Sequence, residues 1–256
     1  MTRHSSQLRQ PGVARICCLP VATFLLVMVT GHPNTLAQIN PELVSKSLER
    51  GISYLKDQQD SNGNWSENQS NPGGITALCT LALIHSGVPN EDPAMKKALA
   101  YLRSFDVDDI GTTYATSLHL MVMAAADPRG ERVRIARYAK WLVEAQNPRS
   151  GGWSYHTRIP TDDPSNSQFA LLALHEAERV GVTIPAVTWE KAHKYWTERQ
   201  QRSGAWSYNL SGLPTGSMTC AGIASLVITS RHTSLEAARV VDGQVQCCGK
   251  VPDANA

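Results

Sequence analysis

The sequence predicts an all-α fold built from helical hairpins, and three observations predict it. A pattern of base, usually a small residue, two spacers, aromatic, then large apolar residue recurs four times. Each recurrence is followed, after a turn or its remnant, by a segment rich in Ala and Leu. No two runs of alternating polarity pair as strands. One such hairpin cannot bury its own apolar face, so neighbours must stack.

The first element lies outside the repeats. Residues 1–15 are polar and basic, with Arg3, Arg9 and Arg15 and no acid. Residues 16–30 are apolar, and Thr35-Leu36-Ala37 is a small-x-small pattern. That order reads as a secretory signal peptide over 1–37, cleaved near Ala37, with an uncleaved anchor as the alternative. The expected location is exported, in the periplasm or at the cell envelope. The mature chain, 38–256, is read as one repeat domain with no transmembrane span.

The amphipathic segments come next in each repeat. They carry Arg50-Gly51 with Tyr54-Leu55, Lys97-Ala98 with Tyr101-Leu102, Arg137-Tyr138 with Trp141-Leu142, and Lys191-Ala192 with Tyr195-Trp196. Charged residues between apolar positions suit a helix with one wet face. Asn40 before Pro41 and Asp92 before Pro93 are start signals. These outer helices are expected to begin near 41, 93, 131 and 188. The apolar segments open at Thr76, Thr113, Ser167 and Thr219. They predict inner helices near 74–86, 112–126, 164–179 and 217–229, buried on most faces.

Three repeats join the two helices through Gln, Gly and Trp: Gln59, Gly63 and Trp65; Gln146, Gly151 and Trp153; Gln200, Gly204 and Trp206. The indole is a large apolar plate with one donor. The Gln amide can satisfy backbone groups at a helix end, and Gly permits close approach or positive φ. The motif is therefore expected to staple one hairpin to the next.

Composition excludes some functions. A formal charge of +2 gives no footprint for nucleic acid or an acidic substrate. Cys17 and Cys18 fall in the leader, Cys79 and Cys220 in apolar helical patterns where buried inert thiols are expected, and Cys247 and Cys248 near the end. There is no C-x-x-C, so no zinc knuckle and no cofactor is expected. His85, His119 and His175 fall on inner segments in different registers, as hydrogen-bonded core or cavity residues.

The pattern running from Arg50 to Trp65 resembles the QW repeat of squalene-hopene and oxidosqualene cyclases at every position. Lys191 to Trp206 departs only at Trp196. Arg137 to Trp153 has Tyr138 for the small residue and one extra residue in the turn. The resemblance covers about residues 41–230 and points to the squalene cyclase and protein prenyltransferase superfamily. It implies an α/α toroid whose inner helices surround a central cavity, able to hold an isoprenoid, lipid or peptide ligand. Complete toroids of that family have more hairpins than the four seen here. The ending from Pro252 to Ala256 resembles the opening of a fifth outer helix, so the chain reads as truncated at its C-terminus.

The resemblance also directs attention to Asp106, Asp108 and Asp109, because cyclases use an Asp-x-Asp-Asp acid. Clustered carboxylates in a dry cavity can hold a proton at high pKa and donate it to an alkene. Against that role, Ile110, Gly111 and Thr112 separate the run from Thr113, and Asp106 occupies the slot of a missing Gln. The other reading is a helix cap and solvated loop. Zinc-dependent prenyl transfer would need an Asp-x-Cys pair, and none is present. The function expected is an exported toroid binding an apolar or peptide ligand or a partner, the alternative being a cyclase that protonates an isoprenoid through Asp106–Asp109.

Overall fold

The computed structural model describes residues 40–67, 69–157, 161–210 and 212–233, with the backbone of 239–241 and 244–246. The leader, Cys17, Cys18, Cys247, Cys248 and the Pro252–Ala256 cap lie outside the described residues.

From Pro41 to Thr233 the described chain is a row of helical hairpins. The outer helices are α1 (Pro41–Asp57), α3 (Pro93–Arg103), α6 (Arg132–Ala145) and α8 (Ala186–Glu198). The inner helices are α2 (Gly74–His85), α5 (Thr113–Ala126), α7 (Pro164–Arg179) and α9 (Gly216–Thr233). The expected starts fall within two residues of these. A single-turn helix, α4 (Val107–Ile110), sits in the second turn. The sequence reading did not foresee it.

Local chemistry accounts for the starts. Asp92 accepts from the Ala94 amide at 2.9 Å, with Pro93 in the first turn. Asp163 accepts from the Asn166 amide at 2.8 Å, with Pro164 in the first turn. Each cap satisfies a donor the helix itself leaves open.

The inner helices pack in chain order, α2 on α5, α5 on α7 and α7 on α9. The outer helices flank them, α3 on α2, α6 on α5 and α7, α8 on α9. Helix α5 is buried from Thr113 to Ala124 apart from Tyr114. The end members differ from the expectation of burial on most faces. Helix α2 exposes Ile75 and Leu78, and α9 exposes Ile223 and Val227. Among the described helices each has one inner neighbour instead of two. This corrects the cysteine reading: Cys79 is half-buried and Cys220 is exposed. His85 is also exposed, so it is no core histidine.

A second difference follows the last inner helix. Strands β1 (Arg239–Val241) and β2 (Gln244–Gln246) pair antiparallel, where no strand was expected. Three residues per strand are too few for an alternating pattern to register.

Among the described residues no helix is long and apolar enough to cross a membrane.

Candidate functional site

The three Gln-Gly-Trp turns share one geometry. The indole N–H of Trp65 donates to the Leu55 carbonyl at 2.7 Å, that of Trp153 to Leu142 at 2.7 Å, and that of Trp206 to Trp196 at 2.9 Å. All three indoles are buried. Each thus satisfies a carbonyl that its outer helix leaves open near the C-terminus.

The Trp backbone amide is held by the hydroxyl that opens the inner helix. Trp65 donates to Thr76 at 3.1 Å, Trp153 to Ser167 at 2.8 Å and Trp206 to Thr219 at 3.2 Å. In the second repeat, without a Trp, Thr113 instead donates to the Ser154 carbonyl at 2.6 Å. The shared Thr or Ser was visible in the sequence, but its partner was not.

The Gln amide makes the link to the next repeat. Gln59 donates to Gly63 and to Ala94 of α3, both at 2.9 Å. Gln146 donates to Gly151 at 2.9 Å and to Thr188 of α8 at 3.0 Å. The glycines have positive φ, +93° at Gly63 and +83° at Gly151. A Cβ there would lie 2.5 Å from the Lys97 carbonyl oxygen and 2.3 Å from that of Lys191. The base of the sequence pattern therefore marks where the next outer helix lies against the turn.

The predicted acids lie at the one junction that lacks this link. Asp106 stands in the Gln slot, and its Oδ1 pairs with Arg137 Nη2 of α6 at 2.6 Å. The Arg137 guanidinium, with smaller help from nearby backbone amides, holds the Asp106 carboxyl below the usual carboxylate range. Asp109 Oδ2 accepts from the Asp106 amide at 3.2 Å, tying off the start of α4. Asp108 and Asp109 are exposed. Asp108 borders an open groove of about 230 Å³ shared with Val107, Arg137, Lys140, Trp141 and Glu144. The three acids are brought together, but beside a basic outer helix, where Arg137 favours the ionised form of Asp106.

A different group of side chains converges where the third and fourth turns meet the N-terminal ends of α5 and α7. Tyr114 packs edge-on to Phe169 with centroids 5.0 Å apart and lies 5.9 Å from Tyr155. The Tyr208 hydroxyl donates to Asp163 Oδ2 while Asp163 Oδ1 caps α7. Burial first, then Asp163 and Tyr155, push the Tyr208 phenol far above its ordinary range. Beside it, Asp162 Oδ1 accepts from the Tyr195 hydroxyl and from Arg199 Nη1, each at 3.2 Å. The Arg199 guanidinium lies 4.9 Å from the Tyr195 ring centre, a favourable cation–π placement.

An open groove of about 440 Å³ runs along Asp162, Asp163, Arg199, Tyr208 and Leu210. Tyr155 is 45 % exposed and Tyr208 41 %. Sequence reasoning singles out neither Tyr155 nor Tyr208. The available signal was that Trp153-Ser154-Tyr155 recurs as Trp206-Ser207-Tyr208. In the first repeat Glu67 takes that slot, accepting from the Thr76 hydroxyl.

Among the inner-helix histidines, His119 is fully buried, with its ring edge-on to Phe105 and Tyr138 at 5.6 and 6.0 Å. Neither ring nitrogen meets a partner at hydrogen-bond geometry, although Pro72 and Gly73 lie alongside. That differs from the hydrogen-bonded residue expected. Desolvation lowers its pKa to about 4. No group of three or more His, Cys, Asp or Glu side chains among the described residues is arranged to hold a metal ion.

Searches of protein-family models and of curated proteins found no match to this chain. Its own geometry defines the class: an all-α protein of stapled helical hairpins.

Proposed function

We propose that this chain is an exported, toroid-type repeat protein of the squalene cyclase and prenyltransferase kind, and that it binds a ligand instead of converting one. The ligand is an apolar or peptide molecule, or a partner carrying such a segment, at the cell envelope. The stapled turns and the inner–outer order of helices support the kinship. The leader reading supports export.

The observation that carries the binding role is the tyrosine rim. Tyr155 and Tyr208 present half-exposed rings, and Leu210, 70 % exposed, lines the groove with Tyr208. The Tyr208 hydroxyl is fixed by Asp163, which caps the start of α7. Rigid tyrosines offer contact area at low entropic cost, which suits recognition of a peptide or apolar chain. The cyclase alternative needs a protonated acid in a dry cavity, whereas Asp106 is paired to Arg137 and Asp108 and Asp109 face solvent.

Calorimetric titration of the purified chain with a pool of end-blocked apolar peptides, and with micellar squalene, tests both readings. Binding by the wild type and its loss in the Tyr155→Ala/Tyr208→Ala double variant are expected, with squalene recovered unchanged. Binding that survives the double variant would refute the rim as the site. Squalene turnover abolished by Asp108→Asn would establish the cyclase alternative.

A further inference from the structure

The fourth turn is built like the first and third, yet it is open on the side where they meet the next outer helix. Gly204 has φ +83°, as Gly151 does, and Gln200 Nε2 donates to Gly204 at 2.9 Å, just as Gln59 and Gln146 donate to their own glycines. Gly63 and Gly151 are buried against Lys97 and Lys191, whereas Gly204 is exposed and a Cβ on it would meet nothing within 4 Å. Among the described residues the socket is formed and no helix is seated in it.

The complementary half lies at the other end of the row. Where a Gln reaches a following outer helix, it bonds the carbonyl four residues before a small residue. Ala94 stands four before Ala98, and Thr188 four before Ala192. A small side chain there leaves the carbonyl approachable. Where the Gln is lost, at the second junction, the small residue is lost too and Tyr138 fills the position. The small residue thus accompanies an incoming Gln. Helix α1 keeps it as Gly51, after the base Arg50, yet no turn within the described residues docks there. Gly51 is exposed with nothing within 4 Å of a built Cβ, α1 buries no residue, and Leu48 and Tyr54 are 51 % and 64 % exposed.

We propose that copies of this chain join head to tail. The Gln200-Gly204-Trp206 turn of one copy receives α1 of the next, with Gly204 against Arg50 and Gln200 Nε2 on the Ser47 carbonyl, four residues before Gly51. The contact continues the two internal junctions. It is heterologous, so it gives a closed ring or an open filament according to the rotation per copy.

Sedimentation of the purified full chain over a concentration series tests this, with circular dichroism confirming unchanged helicity. The wild type is expected to self-associate. Gly51→Tyr, which copies the natural Tyr138 into open space, is expected to abolish association. Gln200→Ala, which removes one hydrogen bond to a buried acceptor, is expected to weaken it by about tenfold. The decisive arm mixes the two variants. Gly51→Tyr keeps a working turn and Gln200→Ala keeps a working α1, so the mixture should form a mixed dimer that grows no further by the intact contact. A wild type that stays monomeric throughout, as when a segment of the same chain fills the socket, would overturn the proposal. So would association unaffected by Gly51→Tyr.

Discussion

Replacing each staple glycine by alanine separates two costs that are usually mixed. Gly63, Gly151 and Gly204 all have φ between +83° and +93°, so each alanine would pay the left-handed backbone penalty of ~1–2 kcal/mol. Only two would also meet a helix. A Cβ on Gly63 would lie 2.5 Å from the Lys97 oxygen, and one on Gly151 2.3 Å from the Lys191 oxygen, with no flexible side-chain end to yield. Relief requires moving α3 or α8 by roughly 1 Å, and such overpacking costs about 1–3 kcal/mol. Gly204→Ala should therefore lose ~1–2 kcal/mol, and Gly63→Ala and Gly151→Ala about 2–5 kcal/mol. Urea unfolding followed by far-ultraviolet circular dichroism measures all three against the wild type, at a concentration where the chain is monomeric. Equal losses at the three positions would refute the claim that these glycines exist for close approach of the next hairpin.

Other outcomes follow from the same geometry. His119 is neutral when folded because its pKa lies at about 4 instead of 6.5. The unfolded chain gains a proton first, so stability present above pH 6.5 is lost as pH falls towards 4, by about 3 kcal/mol. Unfolding curves across that window for wild type and His119→Leu should diverge by this amount, and parallel curves would exclude it. Gly222→Ala should destabilise strongly, since its Cβ would fall 2.3 Å from the Trp206 ring; a quenched or shifted tryptophan emission reports the displacement. Asp106→Asn should leave stability nearly unchanged, because the Asp106–Arg137 pair is about half exposed and screened by water. A clear drop in the urea midpoint would mean that Asp106 does more than bridge a degraded turn.

Helix positions and the staple were legible in the sequence because they are encoded locally and repeated. Caps, proline starts and the Gln-Gly-Trp spacing each lie within one turn of the element they define. What was illegible depends on residues distant along the chain. The Thr76, Ser167 and Thr219 hydroxyls aligned plainly, but the bonds to Trp amides span 11, 14 and 13 residues across a turn of variable length. Cys220 was read as buried because α9 is apolar all round, yet burial requires a further neighbour that the described hairpins do not supply. Tyr155 and Tyr208 escaped notice because each follows a motif that seemed to end at its Trp. The run Asp106–Asp109 drew attention as chemistry, while its pairing with Arg137 became visible only when α6 lay beside it.

The indole-to-carbonyl bond works as a gauge. It spans 10 residues in the first and fourth repeats and 11 in the third, where the loop holds one residue more. The extra residue is absorbed between the helices without lengthening either one, because the ring still finds the same stop on the outer helix. Loop insertions between Gln and Trp should be accommodated readily, whereas a single-residue insertion inside an outer helix would rotate its stop away from the ring. Lengthened turns are therefore where this scaffold can acquire new surface without losing its shape.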